Sequence, residues 1–299
     1  MAAVAVVAAG KAGAASAAVL VAALRSALAA AAVPSQAGAM QAYMKSALPF
    51  HGIPAPLRRR VVAAAVVAQP LADAQSLIDT VLPLWRGASQ REERYAALDL
   101  LRLPRHQKWI DLRFLPVLHE MLLSGAWWDH NDEISGLALG LLLQRHADTM
   151  KPLLRGWARG DNLWLRRAAM LCQRGLKQGF DAVLLYDCIL PSVGDSAMAK
   201  EFFIRKGMGW ALRERSYASP DEVRAFCAEY HAQLSPLTVR EALRVIDKLH
   251  RQTPALSRAR GVSGCQTSSA APTTPSAAAA PAAPPGPGRA QWPRRAASR

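Results

Sequence analysis

Three short clusters hold the residue types that could do chemistry. The first, Gly125-Ala126-Trp127-Trp128-Asp129-His130-Asn131-Asp132, sets two indoles beside two carboxylates where a helix opens. Trp128 and Asp132 are four apart and so share one face of that helix. A structural reading stands beside this: Asp129 complements the helix N-terminus while Trp127 and Trp128 are core. The second cluster is Asp161-Asn162-Leu163-Trp164-Leu165-Arg166-Arg167. Asp161 fits an N-cap, and Trp164 with Arg167 forms an i,i+3 pair. That pair suits either a solvated helix face or an arginine held by an indole against a phosphate. The third runs from Lys200 to Glu214 and contains Gly207 and Gly209. Each glycine inside a helix costs about 1 kcal/mol relative to alanine, so something must come close to that face. Either a ligand or a neighbouring helix meets that need, and Lys206 and Trp210, four apart, project together. Leu234-Ser235-Pro236 is a plain helix start, with Ser235 as N-cap and Pro236 at N1.

These clusters must be positioned by helices. Segments such as DAQSLIDTVLPLW, REERYAALDLLR and EISGLALGLLLQRH carry apolar residues at three- and four-residue spacing, and alternating strand-like runs are missing. The breaks are short: Pro54 and Pro56, Gly125, Gly160-Asp161-Asn162, Ser219-Pro220-Asp221 and Ser235-Pro236. About a dozen helices joined this way predict an all-α chain, and that helix number favours an α-solenoid of antiparallel pairs over a bundle. No strict sequence repeat is visible, so the repeat is structural.

Composition narrows the partner. The 299 residues are 51% hydrophobic and 20% charged, which excludes global disorder. Lys+Arg 37 against Asp+Glu 22 gives +15. The two ends, 1–39 and 251–299, contain no acids, yet the body between them is basic as well. Nucleic acid is the favoured partner, ahead of an anionic membrane surface. Residues 1–16 are Ala/Val/Gly low complexity and leave a targeting peptide open. Residues 17–252 form the folded body, and 253–299, rich in Ala, Pro, Ser and Arg, form a disordered basic tail. Cys172, Cys188, Cys227 and Cys265 are too scattered for a zinc site or a disulfide framework. No Gly-rich phosphate loop, Ser/His/Asp set or two-His metal pair stands out, and the apolar run between Lys11 and Arg25 is too short to span a bilayer.

In shared order and spacing the clusters resemble the AlkD-like DNA alkylation repair glycosylases. The resemblance runs from about residue 18 to residue 251. It is carried by Tyr43-Met44-Lys45, Phe50-His51-Gly52-Ile53 with Arg58-Arg59, and the Trp127–Asp132 cluster. The Asp161–Arg167 cluster followed by Ala168-Ala169, Lys200 through Glu214, and Leu234-Ser235-Pro236 with Arg240-Glu241-Ala242 complete it. It implies HEAT-like repeats around a concave basic groove. The implied reaction is hydrolysis of the N-glycosidic bond of cationic alkylated purines, N7-alkylguanine and N3-alkyladenine, in duplex DNA without base flipping. It carries the catalytic role onto Asp132, flanked by Trp128 and Trp210 at the sugar, and DNA contact onto Arg167, Lys206, Tyr43 and Trp127. No metal and no cofactor are implied; the protein would be a monomer acting on double-stranded DNA, in the cytoplasm or nucleoid, or in the nucleus or an organelle of a eukaryote. His130 and Asn131 fill the variable positions between the carboxylates. Two other readings compete: a DNA-binding repeat protein without chemistry, and a solenoid that binds proteins.

Overall fold

The helical periodicity becomes a succession of α-helices, and no strand occurs among the described residues. The computed structural model describes residues 2–176 and 179–259, with the backbone alone for the helical residues 2–14 and 249–259. The helices are α1 (Ala2–Ala30), α2 (Pro34–Met44), α3 (Ala55–Ala68), α4 (Ala74–Arg86), α5 (Arg91–Arg102), α6 (Pro104–Gln107), α7 (Leu115–Ser124) and α8 (Trp128–Ile134). They continue as α9 (Gly140–Arg145), α10 (Ala147–Arg159), α11 (Leu163–Leu171), α12 (Ala182–Ile189), α13 (Phe202–Ser216), α14 (Pro220–Glu229) and α15 (Pro236–Ala259). A π-helical turn, Ser135–Leu139, joins α8 to α9.

Each helix packs on those near it in sequence. α1 lies against α3 and α4, α4 against α5, α10 against α11 and α12, α11 against α13, and α13 against α15. This is the neighbour-on-neighbour stacking of a helical repeat solenoid, and one apolar core runs the length of the stack. Leu20, Leu24 and Leu28 supply the buried stripe of α1 at four-residue steps.

At both ends helices run past the segment limits read from composition. α1 starts inside the low-complexity segment, because alanine is the strongest helix former. α15 runs to Ala259, past residue 252, since elongating an existing helix needs no new nucleus. The rest of the tail, 260–299 with Cys265, lies outside the described residues. The cap of α11 is Asn162, not Asp161: its side chain accepts from the N–H groups of Trp164 and Leu165. Ser235 caps α15 as expected, accepting from Thr238 N–H at 3.1 Å.

The Phe50–Ile53 segment is held by a buried carboxylate. Glu92 accepts the backbone N–H groups of His51, Gly52 and Ile53 at 3.0, 2.8 and 3.0 Å. Gly52 is required there: its φ is +81°, and a Cβ would stand 2.2 Å from the Val33 carbonyl oxygen.

Candidate active site

Asp132 sits on α8, one helical turn beyond Trp128, and is buried with 4% exposure. Its carboxylate is gripped from α11 by Arg167, which donates from Nε to Oδ1 at 2.8 Å and from Nη2 to Oδ2 at 2.9 Å. The third edge of that guanidinium, Nη1, donates to the Phe203 carbonyl at the start of α13. The pair therefore ties α8, α11 and α13 together. Gly207 is what admits it: a Cβ there would lie 3.1 Å from Arg167 Nη1. Burial pushes the Asp132 carboxyl above its ordinary value, opposed by Arg167 and Arg174. Arg167 takes one lone pair of each carboxylate oxygen, so each oxygen keeps another.

Arg174, in the turn after α11, donates from Nη2 to the backbone carbonyl of Asp132 at 2.8 Å. Its guanidinium carbon also stands 4.6 Å from the centroid of the Trp210 ring, and that of Arg213 stands 5.8 Å away. Asp132, Arg167, Arg174 and Trp210 thus form one connected group, with Trp128 half-buried at the first position of α8.

Behind the carboxylate is a second charged layer. Asp129 accepts from Arg91 at 2.8 and 3.0 Å and from the Tyr95 hydroxyl at 2.5 Å. Burial acts to raise the Asp129 carboxyl, but His130, Arg91 and Tyr95 together hold it below its ordinary value. Asp129 is therefore an anchor onto α5 as well as an acid in the first turn of α8. His130 is buried between Trp85 and Tyr95, with Nδ1 2.9 Å from the Gly125 carbonyl. Burial lowers its pKa to about 4, so the ring is neutral near pH 7. Asn131 donates to the Trp164 carbonyl at 2.7 Å, which fastens α8 to α11.

Trp127 precedes α8 and packs its half-buried ring against Phe203 and Trp164, with centroids 5.3 and 6.2 Å away. Phe203 thus contributes its ring to this aromatic cluster and its carbonyl to Arg167. Neither Trp127 nor Trp128 belongs to the fully buried core.

The remaining candidates have other partners or surroundings than those expected. Lys206 pairs with Glu241 of α15 at 2.6 Å, and Arg213 binds the other oxygen of the same carboxylate at 2.9 Å. Tyr43 is 76% exposed on α2. Arg167, expected at a phosphate, is 2% exposed and committed to Asp132; its geometry serves the carboxylate. Gly209 answers the other half of the two-glycine question. A Cβ there would lie 2.6 Å from the Glu241 Cβ and 2.9 Å from the Thr238 carbonyl oxygen, so it seats α13 on α15. Arg174, Arg91 and Tyr95 carried no sequence signal, because their partners lie 34 to 42 residues away. Burial raises the thiols of Cys188 to about 12 and Cys227 to about 11, which leaves neither as a nucleophile near neutral pH.

Residues 24–246 match the family described as DNA alkylation repair enzyme. A solved structure, described as a predicted DNA alkylation repair enzyme from Enterococcus faecalis, superposes with a TM-score of 0.61 at 30% sequence identity. The match covers 71% of this chain and 95% of that one. No match is found among curated proteins. The chain belongs to the DNA alkylation repair enzyme family.

Proposed function

We propose that the protein is a DNA glycosylase that releases cationic alkylated purines, such as N7-alkylguanine and N3-alkyladenine, from duplex DNA without flipping the lesion into a pocket. The observation that carries this reading is the buried Asp132 carboxylate, fixed by Arg167 and joined through Arg174 to Trp210. A positively charged purine needs no general acid. The electron pair of its glycosidic bond leaves with the base, which departs neutral, and the positive charge passes to the deoxyribose. Water then attacks the anomeric carbon, loses a proton, and leaves an abasic site. One carboxylate about 4 Å from that sugar, at an effective dielectric near 20, supplies roughly 4 kcal/mol. That is about a thousandfold in rate when the attraction is stronger in the transition state than before it. Arg167 prevents the carboxylate from turning away, and Trp128 helps to exclude water.

A second reading, a DNA-binding repeat protein without chemistry, is favoured by the same ion pair, since a bidentate buried pair also serves as a plain helix clamp. The experiment that separates them incubates the protein with methylated duplex DNA and measures free N7-methylguanine by mass spectrometry. Release by the natural protein is expected, with single-turnover excision about a thousandfold slower in Asp132→Asn and DNA affinity little changed. Salt-sensitive binding without release would favour the second reading, and full activity in Asp132→Asn would remove Asp132 from the mechanism.

A further inference from the structure

Arg174 lies outside every cluster that the sequence singles out, yet it touches both halves of the site. Its Nη2 donates to the Asp132 carbonyl at 2.8 Å, while its guanidinium lies over the Trp210 ring at 4.6 Å. The place it occupies is shaped for it. Three residues beyond Asp132 the helix shifts into the π turn Ser135–Leu139, a wide turn of a kind that recurs at functional sites. Gly136 lies in that turn, and a Cβ on it would stand 2.8 Å from Arg174 Nη2 and 2.9 Å from Nε. The glycine keeps the slot open, and the guanidinium fills it.

We propose that Arg174 is a positioning residue that couples the carboxylate-bearing turn to the Trp210 indole through the slot at Gly136. This rests on the glycosylase reading above. Arg167 holds the side chain of Asp132 and Arg174 holds its backbone, so the acid is located from both ends. Reacting groups misplaced by about 1 Å lose on the order of a hundredfold in rate, which is the scale of what such a coupling protects. The contact also changes what Trp210 does. A ring face already covered by a guanidinium attracts a second cation weakly, so on that face Trp210 acts by shape and water exclusion. The charged groups around Asp132 are Arg167 on α11, Arg174 after it and Asp129 on α8, with Arg91 of α5 behind Asp129. Arg174 opposes the effect of burial on the Asp132 carboxyl, and its loss moves the acid limb of the pH–rate profile upward.

The test uses the full chain with Arg174→Met, Arg174→Lys and Gly136→Ala. Single-turnover excision of N7-methylguanine is followed from pH 5 to 8, alongside the indole N–H resonance of Trp210, assigned through Trp210→Phe. Arg174→Met and Gly136→Ala are expected to slow excision by about ten- to a hundredfold, to shift the Trp210 resonance, and to raise the acid limb. Arg174→Lys restores part of the rate. The melting temperature of Gly136→Ala should fall no further than that of Arg174→Met, because the added Cβ meets only the far end of the Arg174 side chain, and a rate that Arg174→Lys partly recovers separates displaced positioning from unfolding. An unmoved Trp210 resonance in Arg174→Met, or excision unchanged in both variants, would overturn the proposal while leaving the glycosylase reading intact. If the natural protein releases no base, the glycosylase reading fails by itself, and the Trp210 resonance still decides whether Arg174 holds the indole.

Discussion

Replacing Arg167 by methionine removes the cation from a buried pair and leaves the Asp132 carboxylate behind. Both side chains are nearly inaccessible, at 3% and 6% exposure, so solvent does little to soften the loss. Breaking such a pair from one side costs about 3–5 kcal/mol. In a domain of this size each kcal/mol lowers the melting temperature by about 2–4 °C, which predicts a fall of about 6–20 °C. The penalty depends on pH with a definite sign. Burial raises the folded-state pKa of Asp132 above its ordinary 3.8, and removing Arg167 takes away the main opposing influence. A carboxyl with a raised folded pKa favours folding at low pH and loses that advantage as pH rises through the folded value. Arg167→Met is therefore most destabilised near pH 8 and approaches the natural protein toward pH 4. His130 titrates over part of this range, but it is present in both proteins and cancels in the difference. Urea unfolding of both proteins between pH 4 and 8, with the double variant Asp132→Leu/Arg167→Met, measures this directly. Adding Asp132→Leu should recover part of the loss, since no buried charge is then stranded. A difference that does not change with pH, or a double variant less stable than Arg167→Met alone, would refute the reasoning.

Two further outcomes follow from the packing around the site. His130 is held neutral with a pKa of about 4 against 6.5 when unfolded, so the stability it contributes is complete above about pH 6.5 and lost as pH falls through about 4. The difference is about 3 kcal/mol, and His130→Gln should flatten the acid side of the stability–pH curve over that interval in urea melts. Gly209→Ala places a Cβ 2.6 Å from the Glu241 Cβ, which forces α13 and α15 apart. It should cost about 1–3 kcal/mol by thermal unfolding, even though alanine is the better helix former.

What could be read from the chain alone follows the reach of the interactions involved. Helix existence is a local property, and the apolar spacing together with Pro236 and Ser235 placed α15 well at its start. Where two adjacent residues could both cap, as Asp161 and Asn162, the offset was decided by where α11 begins, at Leu163. Gly207 and Gly209 look alike in sequence, yet one admits Arg167 and the other seats α15, because positions two apart point to different sides of a helix. The Asp132–Arg167 contact spans 35 residues and the Arg91–Asp129 contact 38. Only the stacking of the repeats creates such partners, so spacing within one helix could not disclose them. Arg174 was hidden for the same reason, and nothing in the sequence around Gly136 marks it out.

A carboxylate held in both arms of an arginine looks, at first sight, too well satisfied to do chemistry. On the proposed reading that pairing is an advantage. The substrate is already a cation on its purine, and a bare buried carboxylate would bind that ground state as eagerly as the transition state, which raises affinity without raising the rate. With Arg167 and Arg174 beside it, the field of Asp132 is weak at a distance and strong close by. It therefore distinguishes charge on the sugar from charge on the base, which is the only change the reaction makes before water attacks. The same arginines keep the acid in place while charge moves past it, so no reorganisation is needed at that moment. Neutral lesions, whose departing bases need a proton that this reading assigns to no residue, should consequently remain in the DNA.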